Sequence, residues 1–239
     1  MLEKQQTVVK RMEKTQLLNR IKGKLIVSCQ ALEGEPLYGS HIMARMALAA
    51  DEGGAVAIRA NGMEDISAIK QATNLPIIGL VKRDYENSNV YITPTKREVD
   101  ELLKVGVDVI AIDATKRERP NGESIEELIS YIKEHNKFIL ADISTVDEGL
   151  YALKLGVDFV STTLSGYTEY TKREEPGPDM ELVERLVNVT NAPIFAEGRI
   201  GNPKEAKEMI QKGAHTVIVG SAITRPQYIT KIFVDGLLD

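Results

Sequence analysis

The sequence predicts a single α/β domain, a (β/α)8 TIM barrel with an extra N-terminal helical segment. A repeated unit carries that reading: four times an amphipathic stretch meets Gly and passes into an apolar run, at Glu52-Gly53-Gly54-Ala55-Val56, Lys104-Val105-Gly106-Val107, Lys154-Leu155-Gly156-Val157 and Lys212-Gly213-Ala214-His215. Gly just past a helix end is the expected stop, because it accepts the left-handed conformation a C-cap needs, and Lys in the last turn suits the negative end of the helix. Four further apolar runs of strand length lie between these units. The 239 residues fit the ~250 typical of the fold, and nothing along them resembles an interdomain linker.

The elements follow in order. Residues 1–23 carry helix-forming residues with apolar positions at Val8, Val9, Met12, Leu17, Leu18 and Ile21, and are expected to form a helical extension. It could close the barrel bottom, pack on a partner subunit or be a solvated leader. Residues 24–239 form the barrel. The first strand is the apolar run 25–29, followed by a helix over 41–52. The second repeats the pattern at 55–59 and 63–73. The third, 76–81, opens on Pro76, which is tolerated at the first residue of a strand, and leads to a helix over 96–104. Strands at 107–113, 138–143 and 157–162 precede helices at 125–136, 146–155 and 180–189. The seventh strand, 193–196, again opens on Pro and leads to 203–212; the eighth, ending at Gly220, leads to 227–236. Near-continuous apolar strands alternating with helices indicate a parallel sheet covered on both faces. An open doubly wound sheet is the alternative, but eight similar units show no strand-order reversal.

Composition narrows the partners. A formal net charge of -5 and a pI near 5.4 lack the basic footprint of a nucleic-acid binder. A single Cys29 excludes an intrachain disulfide and reads as a reduced, buried thiol. No apolar stretch approaches the ~18 residues of a membrane span, and residues 1–24 mix acidic with basic side chains, unlike a secretory signal. A cytoplasmic protein with neither membrane nor nucleic-acid partner is expected. A homodimer is also expected, with the N-terminal helix as a candidate interface.

In such barrels chemistry sits at the C-terminal ends of the strands, so the polar residue ending each apolar run is informative. In order these are Gln30, Arg59, Lys82 with Arg83, Asp113, Asp142, Thr162 with Thr163, Glu197 with Arg199, and Gly220 with Ser221. The third and seventh strands of a closed eight-stranded barrel lie opposite each other, so Lys82 and Glu197 would face one substrate from two sides. Desolvation and the neighbouring cation Arg83 would depress the Lys82 pKa, favouring the neutral amine of a base or a Schiff base. A solvated lysine beyond the strand is the alternative. Burial would keep Glu197 protonated, as a general acid requires; a salt bridge with Arg199 or Arg59 is its alternative. The loops after strands seven and eight carry Gly198, Gly201, Gly220 and Ser221, where backbone N–H groups could approach a phosphate, with Arg225 adding a charged contact. His41, His135 and His215 are scattered, so no metal is expected.

These strand ends also resemble a known family. Leu25-Ile26-Val27-Ser28-Cys29-Gln30-Ala31-Leu32, Ile78-Gly79-Leu80-Val81-Lys82-Arg83-Asp84-Tyr85, Ala141-Asp142-Ile143-Ser144-Thr145, Ala196-Glu197-Gly198-Arg199 and Val219-Gly220-Ser221-Ala222-Ile223-Thr224-Arg225-Pro226 are similar to segments of the bacterial N-acetylmannosamine-6-phosphate 2-epimerases. The resemblance covers about residues 24 to 235. The N-terminal extension is longer than the family usually has, and Ser221 stands where Gly is expected. The resemblance implies interconversion of N-acetylmannosamine 6-phosphate and N-acetylglucosamine 6-phosphate in sialic-acid catabolism, with neither metal nor redox cofactor. It further implies that Lys82 and Glu197 move the C2 proton, that Asp142 and Gln30 position the phosphorylated N-acetylhexosamine, and that Arg59 stabilises the enolate. A Schiff-base aldolase acting through Lys82 on a phosphorylated keto acid, and a non-catalytic phosphosugar-binding protein, are the competing readings.

Overall fold

The computed structural model describes residues 12–238. Eight parallel strands close into a barrel in chain order: β1 (Leu25–Cys29), β2 (Ala57–Asn61), β3 (Ile77–Leu80), β4 (Val109–Asp113), β5 (Phe138–Asp142), β6 (Phe159–Ser161), β7 (Ile194–Glu197) and β8 (Thr216–Val219). The closing pair is β1 with β8, in the register Ile26 opposite Ile218. Open doubly wound topology is thereby excluded.

The expected helices form, with ends set by local chemistry. Helix α1 (Lys14–Ile21) precedes the barrel, and α2 (Ser40–Glu52), α3 (Met63–Ala72), α4 (Lys96–Val105), α5 (Ile125–Glu134), α6 (Val146–Leu155), α7 (Met180–Val189) and α8 (Pro203–Gln211) follow successive strands. Thr95, Ser124 and Thr145 each cap a helix reciprocally with the Glu three residues on, satisfying two otherwise orphaned N–H groups at each start. Gly54, Gly106, Gly156 and Gly213 all adopt positive φ, as the four repeated stops require. The final helix is split: α9 (Ser221–Thr224) comes directly after β8, and α10 (Pro226–Asp235) begins one residue before the sequence-based bound.

Strand alternation divides the core in two. One apolar cluster includes Val27, Ile58, Ile110, Ile139 and Val217, together with helix residues such as Met43, Leu102 and Leu186, and lies between sheet and helices. The other includes Ile26, Ala57, Ile78, Ala111, Leu140 and Ile218 and fills the barrel interior. Phe159 and Phe195 stack there at 5.1 Å. Leu17 and Ile21 of α1 join the interior cluster, so α1 plugs the N-terminal end of the barrel. Residues 1–11 of the expected extension lie outside the described residues. Among the described residues no helix is long and apolar enough to cross a membrane.

Candidate active site

The same period of two that sends Ile26, Ala57, Ile78, Leu140 and Phe195 inward sends the residues two or four positions further along that face toward the C-terminal mouth. Ser28, Arg59, Lys82, Thr163, Glu197 and Gly220 accordingly line one cavity of about 470 Å³, a size suited to a small ligand. Gln30, Gly198, Gly201, Ser221 and Arg225 share its wall. Asp142, fully buried at the end of β5, sits behind it and reaches it through Arg59.

Arg59 is the hub. It is 1% exposed and lies within β2, which runs on to Asn61, instead of ending the strand as the sequence reading had it. Its guanidinium donates to both Asp142 oxygens at 2.9 and 2.6 Å, and its Nη1 also donates to Glu197 Oε2 at 2.5 Å. Arg59, and not Arg199, is therefore the partner of Glu197. Arg199 turns away to donate to Ser165 O at 2.7 Å and lies over the Tyr167 ring. Burial is the largest influence on Glu197 and raises its pKa; Arg59 opposes the rise and the like charge of Asp142 adds to it.

Lys82 stands two residues past the end of β3. Its N–H donates to Asn61 Oδ1 at 2.7 Å, and a short antiparallel bridge pairs it with Ile92, so the chain stays extended and the inward alternation persists beyond the strand. Burial first, and then the Arg59 charge, bring the Lys82 pKa down to about 8. Arg225 pushes the same way, while Glu197 and Asp142 resist. The sequence reading named desolvation and Arg83 as the causes; burial stands, and the structure replaces Arg83 with Arg59 and Arg225. Adjacent strand residues point to opposite faces, so Arg83 turns outward and pairs with Glu98 and Glu101 of α4.

In the glycine loops, Gly198 has φ +104, a conformation that a side chain would strain. Gly220 caps the short α9, and Arg225 donates to Ser221 Oγ at 2.8 Å. Arg225 also pairs with Glu35 of the loop after β1 at 2.8 Å, a partner that the sequence reading missed. Gln30 donates to Ser28 Oγ at 2.8 Å. Its Oε1 and the Arg59 Nε are buried polar atoms without a hydrogen-bond partner among the described residues. Sequence reading also gave no task to Thr163, whose hydroxyl lies within hydrogen-bond distance of both Asp142 and Glu197. Counting two residues on from the inward Ser161 would have found it. Cys29 faces the opposite way, into the outer apolar cluster, and burial pushes its thiol up to about 12.

Chemically, an amine whose pKa is lowered and a carboxyl whose pKa is raised, on opposite sides of a concave mouth, can exchange protons with a carbon acid between them. Comparison with known proteins bears on which carbon acid. Residues 43–238 match the family described as "Putative N-acetylmannosamine-6-phosphate epimerase". A protein of Clostridioides difficile (strain 630), called "Putative N-acetylmannosamine-6-phosphate 2-epimerase", is 58% identical over 221 residues, covering 92% of this chain and 99% of that protein. A Clostridium perfringens (strain SM101 / Type A) protein of the same description is 56% identical, covering 92% of this chain and 100% of its own length. The solved N-acetylmannosamine-6-phosphate 2-epimerase of Clostridium perfringens superposes with a TM-score of 0.91 at 53% identity, covering 94% of this chain and 98% of that one. A thiamine phosphate pyrophosphorylase from Pyrococcus furiosus, with a TM-score of 0.61 and 22% identity, shares the fold alone. With the family match over residues 43–238 and these relatives in agreement, the chain belongs to the N-acetylmannosamine-6-phosphate epimerase family.

Proposed function

We propose that the protein interconverts N-acetylmannosamine 6-phosphate and N-acetylglucosamine 6-phosphate by moving the proton on C2. The observation that carries this reading is the pairing of Lys82 and Glu197 across one cavity, the first with its pKa lowered and the second with its pKa raised. In the open-chain sugar the C1 aldehyde acidifies the C2 hydrogen. Neutral Lys82 takes that hydrogen as a proton, the C–H electron pair moves into a C1–C2 double bond, and the carbonyl oxygen becomes an enolate. Glu197 gives its proton to the other face of C2, the carbonyl re-forms, and the configuration is inverted. The reverse reaction exchanges the two roles.

The other site residues support those two. Arg59 supplies positive charge beside the developing enolate, and Asp142 holds Arg59 in place through a two-pronged contact. Gln30 offers its unpartnered Oε1 to the N-acetyl N–H or a sugar hydroxyl. The phosphate rests against the backbone of Gly198, Gly201, Gly220 and Ser221 and shares Arg225 with Glu35. The reaction serves sialic-acid degradation in the cytoplasm and requires no cofactor.

A homodimer is part of the same reading, with its contact moved from the N-terminal helix to α10. Leu17 and Ile21 of α1 are already used inside the barrel, whereas α10 buries no side chain and leaves Phe233 71% exposed. An apolar groove lined by Leu25, Ile210, Val217, Val219 and Ile223 lies open on the same chain. The α10 of a second copy would cover it.

The test is a proton NMR time course with N-acetylmannosamine 6-phosphate in deuterated water, beside Lys82→Ala. Expected is N-acetylglucosamine 6-phosphate carrying deuterium at C2, with no product from the variant. Product that retains its C2 hydrogen, or an active variant, would overturn the proton-transfer reading.

A further inference from the structure

Thr163 follows β6 on its inward face, two residues after Ser161, and its hydroxyl meets four groups. Asp142 Oδ1 lies at 2.7 Å, Ser161 Oγ at 2.8 Å, Glu197 Oε2 at 2.9 Å and Arg59 Nη1 at 3.3 Å. Two of these neighbours are carboxylate oxygens. A hydroxyl brings one hydrogen, and an oxygen–oxygen contact below 3 Å without a hydrogen is repulsive. Satisfying both carboxylate contacts at once therefore needs a second hydrogen, which a carboxyl must carry.

The surrounding charges decide which carboxyl carries it. Facing Glu197 are Arg59 from β2, Lys82 from the segment after β3 and Asp142 from β5, with the hydroxyls of Ser161 and Thr163 on the β6 side; a Thr163 hydrogen donated to Glu197 would lower its pKa, so the direction of that hydrogen matters. Asp142 takes both prongs of the Arg59 guanidinium, the geometry of an ionised carboxylate. Arg59 is shared between the two carboxyls and balances one negative charge, so a second negative charge, on Glu197, has Lys82 as its further counter-charge. One proton is then shared between them: either Lys82 is an ammonium and Glu197 a carboxylate, or Lys82 is an amine and Glu197 an acid. The second form is the reactive one.

We infer that Thr163 is a positioning residue that holds this shared proton on Glu197, by donating its own hydrogen to Asp142 and accepting the proton of Glu197. Ser161 completes the arrangement by donating to the Thr163 oxygen, and Thr162 fixes the strand, its Oγ1 accepting from Glu197 N at 3.1 Å and donating to Glu197 O at 2.9 Å. Without the hydroxyl, the Glu197 proton loses its acceptor and moves to Lys82. The inference rests on the reading of Lys82 and Glu197 as the proton-transfer pair.

The test is infrared difference spectroscopy of the whole protein near neutral pH, which detects the carbonyl stretch of a protonated carboxyl and needs no turnover. Expected is a band in the natural protein that disappears in Glu197→Gln, disappears in Thr163→Val and remains in Thr163→Ser. Kinetically, Thr163→Val should lower kcat about tenfold, the equivalent of one pH unit of proton displacement, with Thr163→Ser restoring it. Asp142→Asn is a second route to the same answer. Its amide can donate to Thr163, whose hydrogen then turns to Glu197 and favours the carboxylate, so the band should be lost there too. Absence of the band in the natural protein, or its persistence in Thr163→Val or in Asp142→Asn, would overturn the inference. If the band behaves as expected while the natural protein shows no epimerisation, the proton placement stands and the functional reading fails.

Discussion

Breaking the Arg59–Asp142 pair from one side should cost far more than removing it altogether. Both side chains are essentially inaccessible, at 1% and 0% exposure, so solvent screening does not soften the effect. Asp142→Leu removes two guanidinium contacts and the Thr163 contact and strands a buried positive charge. Such half-broken pairs cost about 3–5 kcal/mol. Glu197 remains beside Arg59 and can ionise in compensation, so the lower end, about 3 kcal/mol, is expected. For a chain of this size that is a fall in Tm of about 6–12 °C. In the double variant Arg59→Met with Asp142→Leu both charges are gone, Glu197 can stay neutral, and Tm should return to within a few degrees of the starting value. The assay is a thermal melt followed by circular dichroism for the natural protein, both single variants and the double. A single-variant loss below about 3 °C, or a double variant that melts no higher than the worse single, would refute the buried-pair reasoning.

Other perturbations test the rest of the site. Because Lys82 acts as a neutral amine with a pKa near 8, the rate should rise with pH through that value and fall about fifty-fold between pH 8 and pH 6; a flat profile of kcat/KM would count against Lys82 as the base. Arg225→Met should move that midpoint up, since Arg225 disfavours the ammonium, whereas Arg83→Met should leave it unchanged because Arg83 faces α4; the pH dependence of kcat at saturating substrate distinguishes them. Ile232→Glu with Phe233→Glu on α10 should convert the proposed dimer to a monomer in sedimentation, and a dimer that survives would place the contact elsewhere.

The barrel was legible in the sequence because its signals are local. Gly106 and Gly156 mark helix stops by backbone conformation alone, the capping residues Thr95, Ser124 and Thr145 act within three positions, and apolar runs of strand length report burial on two faces. Strand order followed from the count of similar units, and with it the opposition of Lys82 and Glu197. Contacts between strands were decided only by tertiary structure. Arg59 could equally have read as an enolate stabiliser facing the mouth or as a counter-ion for Glu197; closure of the barrel brings β2, β5 and β7 residues to one point, where Arg59 bridges Asp142 and Glu197. Arg83, adjacent to Lys82 in sequence, is a helix-facing residue because of strand alternation, and the cations that tune the amine are Arg59 and Arg225, far along the chain in either direction. Nor could sequence place Thr163 between two carboxyls or Glu35 on Arg225. Electrostatic coupling depends on distance in space and on the loss of water, and a linear order of residues specifies neither until the barrel has closed.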